Sequence, residues 1–294
     1  MTHILELKPE IASLDTGSLN FDEIAQALHN QPLHIIVLVF LMAGFAFKLS
    51  VVPFHLWTAD VYEGGPMPTT AFLSVVSKGA MSFVFITALY KVFHNMNEVW
   101  YNMLMILAVL TLSIGNLFAL RQQNIKRFLA FSSIAQVGFI LVAISGNTAP
   151  GPSSSSVMYF ILIYIFSNLA AFGVAATIAH QTGKERIDDY KGLYKTNPLL
   201  AWIMALALFS LAGIPPTAGF FGKLFLITAG GSKADYWFII IAALNMVIAL
   251  FYYLRIVKAI FMDKNDTPLP AIHTNRSSKL GLYICTAGIL LTGV

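Results

Sequence analysis

Apolar runs recur along the chain with polar punctuation between them, at about 33–50, 68–90, 99–119, 127–146, 157–179, 198–230, 236–261 and 280–294, here runs A to H. A stretch of roughly twenty apolar residues crosses a hydrocarbon core as one helix. The pattern predicts an all-α integral membrane protein with about eight transmembrane helices. Pro32, Pro68 and Pro198 stand at or near the starts of A, B and F, where a missing N–H costs nothing. Run H is too short for a full crossing, so the chain is expected to stop inside a helix. Ahead of run A, the acidic residues 1–32 read as an extramembrane segment, with a short amphipathic surface helix at Gly17–Leu28. Gly151-Pro-Ser-Ser-Ser-Ser156 reads as a flexible loop.

Two runs do not fit plain helices. Run F would reach about 50 Å as continuous helix against a core of about 30 Å. It also contains Gly213-Ile-Pro-Pro-Thr-Ala-Gly219, where Pro215 and Pro216 delete intrahelical hydrogen bonds. Run A meets Pro53 just after Lys48. Both are expected to be interrupted helices, which membranes tolerate where broken backbone lines a protein-enclosed, hydrated cavity; simple kinking for packing is the plainer alternative.

Composition agrees with the pattern. Hydrophobic residues make up 57% and charged residues 11%, with a mean hydropathy of +0.73, where soluble chains run at about 45–50% and 25%. Cys285, the single cysteine, can neither close an internal disulfide nor supply four thiolates to an iron–sulfur cluster. There is no G-x-G-x-x-G, P-loop or H-E-x-x-H motif, so nothing marks a nucleotide, flavin or zinc site. The net charge of +4 does not point to nucleic acid, because the cations sort by membrane side. Counting crossings from residue 1, the near side holds Lys8, Lys91 and Lys233. The far side holds twelve: Arg121, Lys126, Arg127, Lys184, Arg186, Lys191, Lys195, Arg255, Lys258, Lys264, Arg276 and Lys279. The positive-inside rule puts the twelve in the cytoplasm or its organellar equivalent, with the amino terminus outside. Lipid headgroups are expected at Arg121, Lys126 and Arg127.

Three cations remain inside or at the ends of apolar runs: Lys48, Lys78 and Lys223. Each costs about 2.5–3.5 kcal/mol at a helix centre. Selection for stability alone would not keep them, and amines held in poorly solvated sites can exchange protons near ambient pH. Lys78 lies near mid-bilayer and Lys223 just past the break in F, while Lys48 is placed to snorkel to the inner interface. Ser132, Ser133, Gln136, Asn168 and Asn245 would line a water path or, more commonly, glue helices together. His55 would titrate near neutral pH or anchor at the interface with Trp57. Asp60 and Glu63 fall in a loop, as a solvated face or a channel mouth. Asp188 and Asp189, among Lys184, Arg186 and Lys191, read as a salt-bridged turn. No carboxylate lies inside any run, so the lysines lack an embedded electrostatic partner.

The blocks Phe47–Pro66, Ser77–Gly79, Asn124–Gln136 and Phe209–Lys223, in that order, closely resemble the antiporter-like membrane subunits of respiratory complex I. Lys223, where a sister subunit has Glu, and Thr58-Ala-Asp-Val-Tyr-Glu63 favour the subunit N branch of that family. The resemblance implies about fourteen spans in two inverted repeats, each with one broken helix. Residues 33–119 would then hold the end of the first repeat and the start of the second, and 120–294 the remainder. It further implies that Lys48 matches the lysine paired with an embedded Glu, Lys78 the bridging lysine and Lys223 the terminal one. The paired Glu would lie upstream of residue 1, so this chain should not pump alone.

The functional expectation is a proton-translocating membrane subunit, in a bacterial inner membrane or organellar equivalent, with flavin, iron–sulfur clusters and quinone on partner subunits. The rivals are a subunit of a cation/proton antiporter or membrane-bound hydrogenase, and a structural subunit with sealed lysines. A solute carrier is disfavoured, since the runs hold no substrate-like polar cluster.

Overall fold

The computed structural model describes residues 34–146, 150–231, 236–265 and 268–293. The surface helix expected at 17–28, and Lys8, Pro32 and Lys233, lie outside them. Ten helices carry the architecture of the described residues: α1 His34–Leu49, α2 Leu56–Gly64, α3 Met67–Val92, α4 Asn97–Arg121, α5 Ile125–Ser145, α6 Pro150–Thr182, α7 Pro198–Ala212, α8 Ala218–Gly230, α9 Tyr236–Phe261 and α10 Arg276–Leu291. Five of them, α3, α4, α5, α6 and α9, are long and apolar enough to cross a membrane. Runs A and F are each split in two, as Pro53 and the Pro215-Pro216 pair predict.

Three boundaries differ from expectation. Gly151–Ser156 is not a loop but the first turns of α6. Proline is tolerated there because first-turn N–H groups have no intrahelical acceptor. Asp60 and Glu63 lie on α2 rather than in a loop. Run H begins earlier, at Arg276, and its helix closes at Leu291, with Thr292 N donating to Gly288 O at 3.1 Å.

α5 is the centre of the bundle. Nearly every residue from Ile125 to Ser145 is buried, and α4, α6, α8 and α2 pack around it. A helix apolar on all sides has no lipid-facing stripe to offer, so it goes inside. Asn124 caps it, its side-chain oxygen accepting from Lys126 N and Arg127 N at 2.8 and 3.2 Å. Large apolar side chains point outward instead on the rim, among them Phe40, Ile106, Leu244, Val247, Phe251 and Leu291.

The two ends of the bundle keep the charge sorting. At the far end Arg127 reaches both Asp60 and Glu63 at 2.7 Å, Lys126 meets Glu185 at 2.9 Å and Lys191 meets Asp188 at 2.7 Å. Lys191 holds the Asp188 carboxyl below its ordinary range, as the expected salt-bridged turn requires. Arg255 donates to Leu120 O at 2.7 Å and Gln122 O at 3.0 Å, where a cation meets the negative end of α4. The near end is tied by neutral contacts: Tyr90 to Ile144 O, Trp100 to Phe93 O and Tyr159 to Thr292 O. Lys126 and Arg127 are engaged with carboxylates, and of these two and Arg121 only Arg121 is exposed.

Two predictions follow from this packing. A Cβ on Gly219 would collide with the carbonyl of Ser210, so α8 and α7 can approach only because residue 219 has no side chain. Gly219→Val should cost about 1–3 kcal/mol, read as a lowered Tm of the detergent-solubilised protein; an unchanged Tm would contradict the contact. Glu185→Ala strands Lys126, whose side chain is 10% exposed. It should cost more than the ~0.2–1 kcal/mol of an exposed pair. Asp60→Ala, whose carboxylate is 70% exposed and leaves Arg127 its Glu63 partner, should stay within that range.

Candidate functional site

Helix α7 ends because of its sequence. Gly213 takes φ +82°, a left-handed conformation that a residue with a Cβ rarely adopts, and its N–H and that of Ile214 close back on Phe209 O at 3.0 Å. The two prolines prevent continuation, and the helix restarts at Ala218. Ending a helix in the protein interior leaves its last carbonyls without intrahelical donors. Lys223, one turn into α8 and 1% exposed, supplies them: Nζ donates to Leu211 O at 2.6 Å and Ala212 O at 3.2 Å. Its charge also lies 4.9 Å from the ring centroid of Phe139 on α5. The break thus provides the partner that the missing carboxylate would have been. Pro215 and Pro216 stand between the two half-helices, in the break itself.

Lys78 sits differently. α3 carries a π-helical segment at Leu73–Ser77, immediately before it. Such wide turns are frequent at functional positions. Lys78 is 3% exposed; its Nζ donates to Ser133 Oγ at 2.9 Å and stands 6.0 Å from the ring of Tyr62. Around it lies a small polar cluster: Ser74 with Tyr164 OH at 3.0 Å, and Asn168 Nδ2 donating to Ser74 Oγ at 2.6 Å. Tyr62 OH and Asn168 Oδ1 are buried with no hydrogen-bond partner among the described residues.

Ser133 and Gln136 are three residues apart on α5, so they share a face. Gln136 Nε2 donates to Leu211 O at 2.9 Å, the carbonyl that also receives Lys223, and to Tyr253 OH at 3.1 Å. Tyr253 in turn lies 2.5 Å from Ser132 Oγ. One fully enclosed helix therefore contacts both lysine sites through neutral oxygens and an amide.

The remaining expected residues separate. Lys48 is exposed, on the apolar outer face of α1 that also shows Phe40 and Phe47. The carbonyls freed by the break at Pro53 are taken by other donors: Phe47 O by Ser50 N and Trp57 Nε1, and Ala46 O by Val51 N. Lys48 does not join Lys78 and Lys223 in the interior of the described chain. His55 is buried and neither ring nitrogen meets a partner with hydrogen-bond geometry, while Trp57 stacks on Phe47. Asn245 Oδ1 accepts from Asn116, which also accepts from Tyr252 OH, a bond network tying α4 to α9. Asp60 and Glu63 bind Arg127 at the far end. Tyr62, Ser74, Tyr164 and Tyr253 were not among the expected site residues; tyrosine in an apolar run carries no signal of its own, because its ring packs like any other.

Residues 12–249 match the family described as NADH:quinone oxidoreductase/Mrp antiporter, TM. The chain is 49% identical over 279 residues to NADH-quinone oxidoreductase subunit N of Phocaeicola vulgatus, an alignment covering 95% of this chain and 59% of that protein. It is 39% identical over 290 residues to NAD(P)H-quinone oxidoreductase subunit 2 of Synechococcus elongatus, covering 95% and 55%. Among solved structures it resembles a chain of respiratory complex I from Thermus thermophilus, with TM-score 0.75, 28% identity, and 90% and 58% of the two chains covered. A chain of the archaeal membrane-bound sulfane sulfur reductase gives TM-score 0.83 at 25% identity, covering 95% and 57%. A chain of the Mrp complex from Dietzia sp., at TM-score 0.82 and 21% identity over 92% and 59%, shares the fold. The chain spans less than two thirds of the length of each of these proteins. Family match and relatives agree, and the chain belongs to the NADH:quinone oxidoreductase/Mrp antiporter family of transmembrane subunits.

Proposed function

We propose that this chain is a proton-translocating membrane subunit of an NADH:quinone oxidoreductase, carrying protons through Lys78 and Lys223 while electron transfer takes place on partner subunits. The observation that carries the reading is the lysine at the break of α7 and α8. A cation is held in the bundle interior by two carbonyls that exist as free acceptors only because the helix is broken there. Such a site changes its hydrogen bonding whenever α7 and α8 shift, so a displacement started elsewhere can alter the lysine's hold on its proton. Lys78, with one protein acceptor in Ser133, is the second station. Lys48 would serve as a third through contacts that the described residues do not make. Flavin, iron–sulfur clusters and quinone belong, in this reading, to partner subunits, and neighbouring membrane subunits cover part of the apolar rim.

The sense of transport follows from the charge sorting. All twelve far-side cations fall within the described residues, and the positive-inside rule places that end in the cytoplasm or its organellar equivalent. Protons would be taken up there and released at the opposite end, on the side of residue 1. A groove of about 530 Å³ opens at the basic end beside Lys126, Glu185, His180 and the start of α3, the helix that bears Lys78. A second reading, a subunit of a cation/proton antiporter, draws on the family description and on the fold shared with the Mrp chain. Neighbouring genes for flavin and iron–sulfur subunits separate the two.

Two experiments test the reading. In inverted membrane vesicles bearing the assembled complex, Lys223→Ala should lower proton translocation about a hundredfold or more, the scale of removing one proton-transfer group, with Lys78→Ala acting alike. Proton translocation and quinone reduction both unchanged would reduce the lysines to sealed structural groups. For orientation, a cysteine at Lys258, whose side chain is 66% exposed, should react with an impermeant maleimide in inverted vesicles and resist it in intact cells. The opposite pattern would reverse the assigned direction.

A further inference from the structure

Away from the two buried lysines, α3 and α10 both pack on α6, and both begin at the basic end of the bundle. The groove of about 530 Å³ lies there, bordered by the start of α3, the end of α6 and the start of α10. That falls within the range of about 300–1,000 Å³ usual for small-ligand sites. Side-chain amides hold one wall in place. Gln181 donates to His273 O at 2.5 Å and accepts from His273 N at 3.2 Å. Asn197 donates to Pro270 O at 2.9 Å and accepts from Ile272 N at 2.7 Å. The lining has two characters. His180, His273, Asn275 and Ser278 bring exposed hydrogen-bond donors, while Met67 and Ala176 are apolar and more enclosed. Further along the two helices, toward the hydrocarbon, α3 exposes Phe72 and Val76, and α10 exposes Leu280 and Ile284.

The charge beside this groove is not balanced within the described residues. Arg276 and Lys279, in the first turn of α10, are exposed and meet no carboxylate among them. The carboxylates described at this end already have partners. Asp60 and Glu63 hold Arg127, Glu185 holds Lys126 and Asp188 holds Lys191. Asp189 accepts from Arg186 N, and Asp263 lies 3.9 Å from Lys258. We propose that the groove binds a phospholipid with an anionic headgroup. Its phosphate lies among Arg276, Lys279 and the donors of His273 and Ser278, and an acyl chain runs on past Phe72 and Leu280. Basic pockets between membrane helices attract such headgroups. A free anion would leave the apolar side chains bare, and an apolar helix would leave the cations unpaired; a phospholipid satisfies both. The site draws on no part of the transport reading.

The test uses the native complex containing the full-length subunit, in nanodiscs of phosphatidylcholine with added phosphatidylglycerol. A density map should show a headgroup in the groove with its phosphate in reach of Arg276 or Lys279. An empty groove, or a protein segment seated in it, overturns the proposal. A photoactivatable phosphatidylglycerol should label peptides of α3 or α10, and the phosphatidylcholine analogue should label them far less. Equal labelling by the two would mean ordinary surrounding lipid and no site. Arg276→Gln combined with Lys279→Gln should lower the phosphatidylglycerol labelling about twentyfold, from about fivefold per cation. Ser278→Tyr, which fills the groove from its exposed side, serves if the double variant does not assemble and should also lower the labelling. Labelling unchanged in these variants contradicts the site. Excess inorganic phosphate should leave the lipid in place; displacement by phosphate would assign the groove to a soluble anion and overturn the lipid.

Discussion

Two ammonium groups are kept in an apolar interior with no carboxylate hydrogen-bonded to them among the described residues, and this constraint shapes the structure around them. A charge at that depth is costly unless every donor finds an acceptor. The protein meets the need with neutral oxygens. Lys223 takes two main-chain carbonyls released by the gap between α7 and α8, and Lys78 takes the hydroxyl of Ser133. Carbonyls at the end of a half-helix carry the negative pole of that helix, so they attract a cation without being able to accept its proton outright. An ion pair would hold a lysine more firmly. Neutral partners would leave the proton exchangeable, as the proposed relay needs and a packing module does not.

The same constraint explains why α5 is enclosed on all sides. Its serines and glutamine can serve two lysines on neighbouring elements only if no lipid or bulk water competes for them. Ser132, Ser133 and Gln136 sit within little more than one turn of this one helix and reach Tyr253, Lys78 and Leu211 respectively. Elsewhere the polar side chains have the duller role of fastening helices, as Asn116, Asn245 and Tyr252 do between α4 and α9. At the far end, Arg255 at the close of α4 repeats the chemistry of Lys223 in a wetter place, again a cation on helix-terminal carbonyls.

Much of this was legible in the amino-acid order. Apolar runs locate the helices because the membrane imposes their length, and adjacent prolines locate the break in F because they remove donors at a known place. Lys78 and Lys223 stand out because charge is rare in such runs. What stayed hidden needs three dimensions. Main-chain carbonyls have no letter in the sequence, so the partners of Lys223 could not be named. The π turn before Lys78 leaves no composition signal, and a hydroxyl such as Ser133 looks the same whether it holds a lysine or its own helix. Lys48 shows what spacing alone could tell: it predicts a lysine able to reach the surface, and in the described residues Trp57 takes the carbonyl at that break and the lysine faces outward. Gly151–Ser156 misled because small and polar residues mark both loops and first helical turns.

Reaction of amines with a water-soluble methylating reagent, read by peptide mass spectrometry on the resting, assembled complex, tests the burial of the two lysines most directly. Lys78 and Lys223 should stay unmodified until the protein is unfolded, while Lys258 reacts at once. Modification of either buried lysine at the rate of Lys258 would contradict the account.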